Sequence, residues 1–176
     1  MAVAVHTINV PESTDEDERQ ILDVGELVVK PNTQLCEGQA APLFNIKTLN
    51  GKKIRLQDLR GKIVLLAFWA SWCGECTNEV PRLKELYKAF GSDERFVMIG
   101  LSLDRSTQTL QNFVKSHEMN WNQAILGDWS QSKIPSLYAV SFIPTEYLID
   151  QDGIIVDVLR GLKMHDAIEK ALAALE

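Results

Sequence analysis

The chain has 176 residues, 45% of them apolar and 24% charged, enough for one domain with a full core and the balance of a globular protein. Its net charge of -6 belongs to the N-terminal end: residues 1–40 hold eight acids and two bases, whereas residues 41–176 hold sixteen of each. A neutral remainder with no cluster of Lys and Arg excludes the electrostatic footprint of a nucleic-acid or anionic-lipid binder, and no run of 18 or more apolar residues provides a membrane span.

The opening "MAVAVHTINV" lacks a basic n-region, and its apolar run is broken at His6 and Thr7, so it does not read as a signal peptide. Residues 11–20, "PESTDEDERQ", carry five acids and almost nothing to bury, the composition of a solvated linker. A short strand is expected at 26–30 ("ELVVK"), followed by the connection "KPNTQLCEGQAAP". The boundary falls near Ala40, which gives an acidic tail or linker over 1–40 and one domain over 41–176.

Within that domain "LFNIKT" (43–48), an Asn-Gly turn at 50–53 and "IRL" predict a β-hairpin, because Asn-Gly supplies the positive φ angles that a tight turn requires. "KIVLLAFWA" (62–70) is a continuous apolar run, the mark of a central strand buried on both faces. From Cys73 to Phe90, apolar residues at Val80, Leu83, Leu86, Tyr87 and Phe90 recur by three and four, predicting an amphipathic helix in which Pro81 removes one hydrogen bond and introduces a kink. "RFVMIGLSL" (95–103) reads as a second buried strand and 107–117 as a second helix. "PTEYLID" (144–150), a turn at "QDG" and "IIVDVLR" (154–160) read as an antiparallel hairpin, before a closing helix at 164–175. The alternation predicts an α/β layer fold with a mixed sheet.

Cys73 and Cys76 stand at the strand-to-helix junction in "FWASWCGECTNE" (68–79), and Cys36 is left over. A thiol at a helix N-terminus faces unsatisfied N–H groups and the positive end of the helix dipole, which favour thiolate. Cys76, one turn later on the same face, can attack a mixed disulfide formed at Cys73, so the spacing predicts that Cys73 attacks and Cys76 resolves. A zinc site needs two more ligands, whereas Cys36, His6, His117 and His165 are scattered singly; no metal is expected. A static staple closing four residues constrains the unfolded chain little. No Gly-x-Gly-x-x-Gly signature is present, so no cofactor is expected and an external thiol reductant must recharge the pair. Cys36 reads as a packed or solvent thiol.

The segment "FWASWCGEC", with Trp69 and Trp72 ahead of Cys73, Pro81 after it and "FIPTEYLID" some seventy residues on, resembles the thioredoxin-fold proteins, more closely the TlpA/ResA-type thiol-disulfide oxidoreductases related to AhpC/TSA. "GQAAPLF", "LNGKKIRLQDLRGKIVLLAFWASWCGEC" and "YLIDQDGIIV" extend the likeness over residues 38–176. It implies a three-layer α/β fold, with a central mixed sheet flanked by helices and an N-terminal β-hairpin extension, and an enzyme that reduces protein disulfides. It also implies that Pro144 is a cis-proline facing the cysteines, leaving the backbone of Ile143 to pair with an extended substrate and keeping metal from the thiols.

Glu79 fits the family's Cys-x-x-Cys-x-x-Glu pattern, in which a partly buried carboxylate manages the proton of the resolving thiol; it is equally placed to pair with Arg82. Ala67 stands where thioredoxins proper carry a buried aspartate, so that base is expected to be missing. Trp72, Gly74 and Glu75, with Ile143 and Pro144, are the expected substrate-binding residues. Glu75 departs from the common Gly-Pro and places a negative charge beside Cys73.

A thiol peroxidase is the weaker alternative, because the residue three before Cys73 is Ala70 and no proline precedes it. A metal-delivery or binding module is weaker too, because copper-delivery relatives space their cysteines by three residues and use a later histidine. The expected partners are protein disulfide substrates. The chain is expected to act as a monomer in an extracytoplasmic setting, periplasmic or membrane-tethered, rather than in the cytoplasm.

Overall fold

The computed structural model describes residues 35–159 and 164–175; the strand anticipated at 26–30 and the acidic segment 11–20 lie outside the described residues. In chain order the elements are β1 (Asn45–Lys47), β2 (Lys53–Arg55), a 3-10 turn (Leu56–Leu59), β3 (Ile63–Trp69), α1 (Gly74–Phe90), β4 (Phe96–Ser102), α2 (Thr107–Ser116), β5 (Asn122–Ile125), α3 (Ile134–Leu137), β6 (Thr145–Ile149), β7 (Ile155–Leu159) and α4 (Met164–Ala173).

The run that reads as a doubly buried strand becomes β3, all seven of whose residues are buried. It lies at the centre of a five-stranded sheet of order β5-β4-β3-β6-β7. β4 pairs parallel to β3 and β5 parallel to β4, whereas β6 runs antiparallel to β3 and β7 antiparallel to β6. This is the mixed sheet that the alternation of elements predicts.

Alternate side chains of β3 enter two different cores, as the pleat of a strand requires. Val64, Leu66 and Phe68 join Phe44, Ile54 and Leu56 of the N-terminal hairpin layer and Ile134, Tyr138 and Val140 near α3. Ile63, Leu65 and Trp69 join Val80, Leu83 and Leu86 of α1, Leu110 of α2 and Met164, Ile168 and Leu172 of α4. The result is three layers: helices on one face, and a hairpin with one short helix on the other.

The β1–β2 hairpin pairs Asn45 with Arg55, Ile46 with Ile54 and Lys47 with Lys53. Thr48 N–H donates to the Lys52 carbonyl at 2.9 Å across a turn in which Gly51 adopts φ +85. That positive φ is the reason for a glycine there. Helix α1 runs without interruption across Pro81. Among the described residues, no helix is long and apolar enough to cross a membrane.

Two elements, β5 and α3, depart from the sequence reading, which left residues 118–143 without regular structure. β5 is four residues long and includes the polar Asn122 and Gln123, so it has no legible periodicity; pairing with the edge of β4 makes it a strand. α3 is a single turn around Pro135.

Candidate active site

After Trp69 the chain leaves the sheet and turns into α1, with Cys73 as the N-cap residue in an extended conformation (φ -91, ψ 109). Its Sγ accepts from the Cys76 N–H at 3.2 Å. The sulfur thereby takes the place that a Ser or Asp oxygen occupies in an ordinary cap. Cys76 follows one helical turn later and is 2% exposed, whereas Cys73 is partly exposed. A disulfide joins the two across a Cα separation of 5.2 Å.

Strand register brings the second half of the site to the first. β6 pairs antiparallel with β3, with Thr145 opposite Phe68, so the residues just before β6 arrive beside the residues just after β3. The Ile143 carbonyl oxygen lies 3.8 Å from Cys73 Sγ. The Ile143–Pro144 peptide bond is cis. Trp72 is 62% exposed next to Cys73, and Phe142 is 40% exposed next to Ile143. Gly74 and Glu75 are exposed on the first turn of α1, and a Cβ at Gly74 would meet nothing within 4 Å. The sequence-predicted residues thus gather at one end of the sheet, with a partly exposed sulfur among apolar side chains.

Asp104, just past β4 and only 2% exposed, holds the turn ahead of the cysteines. It accepts from the Ser71 N–H at 3.0 Å, from the Ser71 hydroxyl at 2.6 Å and from the Ser102 hydroxyl at 2.6 Å. Sequence reasoning missed it. Its signal is an acid directly after a run that strand periodicity buries, in "VMIGLSLD".

Glu79 makes the ion pair with Arg82 that the spacing allowed. Arg82 also reaches across to β6, where its Nη2 donates to Glu146 Oε1 at 2.9 Å. Glu146 is 3% exposed, and burial pushes its carboxyl up to about 7, with Glu79 adding in the same direction and Arg82 opposing. Position 67 itself carries no carboxylate, but the sequence reading did not foresee a buried acid from the neighbouring strand. Glu146 is the direct cross-strand partner of Ala67, so a buried carboxylate enters the same neighbourhood from the adjacent strand. The signal was a lone acid in the strand "TEYLI", all five of whose residues are buried.

Cys36 is exposed. Among the described residues, the grouping of three or more potential metal ligands is His165, Asp166 and Glu169, all exposed on α4; it does not include the cysteines.

Comparison with known proteins follows the same lines. The model of the AhpC/TSA family matches residues 37–158. The thiol-disulfide oxidoreductase ResA of Bacillus anthracis is 38% identical over 132 residues, covering 75% of this chain and 74% of that one. The thioredoxin-like protein YneN of Bacillus subtilis (strain 168) is 35% identical over 144 residues, 81% of this chain and 82% of its own. Among solved structures, the thioredoxin domain of a thiol-disulfide oxidoreductase from Bacteroides vulgatus superposes with a TM-score of 0.71 at 32% identity, covering 78% of this chain and 98% of that chain. With its cysteine pair at the end of β3 and the sheet of a thioredoxin domain beneath it, the chain belongs to the AhpC/TSA family, as one of its ResA-like thiol-disulfide oxidoreductases.

Proposed function

We propose that the chain reduces disulfide bonds in partner proteins, with Cys73 as the attacking and Cys76 as the resolving thiol. The observation that carries this reading is the asymmetry of the pair: Cys73 is partly exposed at the end of α1, while Cys76 is 2% exposed behind it. A substrate sulfur can meet the first and not the second. The N–H groups of the first helical turn favour an anionic sulfur at Cys73.

The Cys73 thiolate attacks one substrate sulfur and expels the other as a thiolate. Cys76 then attacks Cys73 Sγ, forming the intrachain disulfide and releasing the second substrate thiol. Two electrons pass to the substrate, and an external thiol reductant returns them. The exposed rings of Trp72 and Phe142, and the Ile143 carbonyl beside Cys73, support docking of an extended substrate segment there, with Gly74, Glu75 and Pro144 bordering it. Glu79, paired with Arg82, takes part in handling the proton of Cys76. The likeness to ResA-type proteins supports an extracytoplasmic setting, and the chain is taken to act there as a monomer.

The test is an equilibrium redox titration against dithiothreitol in a Cys36→Ala background, read by tryptophan fluorescence and paired with an insulin-reduction assay. A two-electron midpoint at or below about -250 mV with insulin reduction is expected; a midpoint of about -120 to -180 mV would make the protein an oxidant or isomerase instead. Cys76→Ser should accumulate a mixed disulfide at Cys73 and Cys73→Ser should abolish turnover. Turnover surviving in Cys73→Ser would overturn the order of attack.

A further inference from the structure

Behind Cys76 lies a small cavity lined by Ala67, Trp69, Cys76, Glu79, Pro144 and Glu146, among others. It is of a size that holds one water molecule at most. The buried thiol and the buried carboxylate of Glu146 therefore line one small cavity, together with the partly exposed Glu79. The register explains the arrangement: Glu146 stands opposite Ala67, whose methyl group leaves the space over β3 open, and Cys76 on α1 closes it from above. Arg82 then ties Glu146 to Glu79, which is only partly buried.

We propose that Glu146 is the proton acceptor for Cys76 in the resolving step, acting across this cavity, with Glu79 as the outer member of the pair and Arg82 as the link. This rests on the reading of Cys76 as the resolving thiol. In the forward step the proton on Cys76 Sγ passes to the Glu146 carboxylate. The thiolate so formed attacks Cys73 Sγ, the bond between Cys73 and the substrate sulfur breaks, and its electron pair leaves on that sulfur. When a reductant opens the intrachain disulfide, the carboxylic acid returns the proton to Cys76. A base serves best when its pKa lies near the working pH, and burial holds Glu146 at about 7.

The groups that face Glu146 are few. From α1 they are Arg82, Glu79 and the Cys76 thiol; β3 offers only Ala67. α4 places Met164 Sδ against Arg82 at 3.4 Å, and on β7 the titratable neighbour by register is Asp157, opposite Leu148.

The experiment mixes the reduced chain, in the Cys36→Ala background, with a chromogenic aromatic disulfide and follows release of the first and second equivalents of thiolate over a range of pH. The first reports attack by Cys73 and the second reports resolution by Cys76. In the parent, the second rate is expected to rise through an ionisation near neutral pH. In Glu146→Gln it should fall on the order of 10- to 100-fold and lose that ionisation, with the first rate within about twofold of the parent. Glu146→Asp should keep the ionisation and recover part of the rate.

A parent profile without that ionisation overturns the proposal whether or not the variants fold. So does a Glu146→Gln variant that resolves as the parent does, or a loss of the ionisation in Glu79→Gln alone. Release of a single equivalent by the parent would overturn the assignment of Cys76 as resolving thiol, and this proposal with it; two equivalents with a flat second phase would overturn this proposal only.

Discussion

Asp104 and Glu146 are both acids buried beside the redox pair, and they differ in what surrounds them. Asp104 accepts three hydrogen bonds from Ser71 and Ser102, which makes it an anchor for the turn that carries Trp72 and Cys73. Glu146 meets one guanidinium, and burial outweighs it, holding the carboxyl at about 7 in the folded chain against an ordinary 4.5. Between those values the native chain binds more protons than the unfolded one. Stability is therefore highest below about pH 4.5 as far as this group is concerned, and falls as the pH rises toward about 7. The cost above that range is roughly 3 kcal/mol. Glu146→Gln carries no charge at any pH and is expected to flatten this limb of the stability curve, measured by urea unfolding from about pH 4 to 8. An unchanged slope would show that burial does not raise the carboxyl.

Among the elements, the sheet makes one close approach next to the site. Gly100 on β4 lies between Ala67 on β3 and Gln123 on β5. With no side chain there, Trp69 Nε1–H donates to Gln123 Oε1 at 3.2 Å. A Cβ at Gly100 would lie 2.0 Å from that oxygen and 3.0 Å from the indole nitrogen. Gly100→Ala is expected to displace the amide, break this bond and lower stability by about 1–3 kcal/mol. Chemical denaturation measures the loss, and the emission of Trp69 should shift with it; a variant as stable as the parent would mean that Gln123 moves aside at no cost. The same row across the sheet, from Gln123 through Gly100 and Ala67 to Glu146, carries small residues at its centre and polar ones at its ends.

At the scale of the whole molecule, the sheet is covered by unlike layers. Helices α1, α2 and α4 seal one face, and the N-terminal hairpin with its neighbours seals the other. The hairpin layer is thus part of the core under β3. Phe44, 6% exposed, packs edge-on to Tyr138 at a centroid distance of 5.9 Å. Phe44→Ala is expected to cost about 3–5 kcal/mol in unfolding free energy. A loss below about 1 kcal/mol would mean that the hairpin is an appendage rather than a layer of the core. The cysteines are reached from the end of the sheet, where β3 stops and β6 begins, so each face can be packed for stability without closing the site.

Read alone, the sequence determined the strands β3 and β4, helix α1, the β1–β2 hairpin and the cysteine pair at a strand-to-helix junction. All of these are set by local periodicity, by an Asn-Gly turn or by spacing within one helical turn. It did not yield β5, whose four residues become a strand only by pairing with β4. Nor did it yield the partners of the pair. Asp104 lies 33 positions from Ser71, and Glu146 lies 64 positions from Arg82. Only the register of β6 against β3 puts Glu146 opposite Ala67 and so behind Cys76. Periodicity reports which side chains are buried; which buried groups meet is decided by strand order and register, and these come from contacts between residues far apart in the chain.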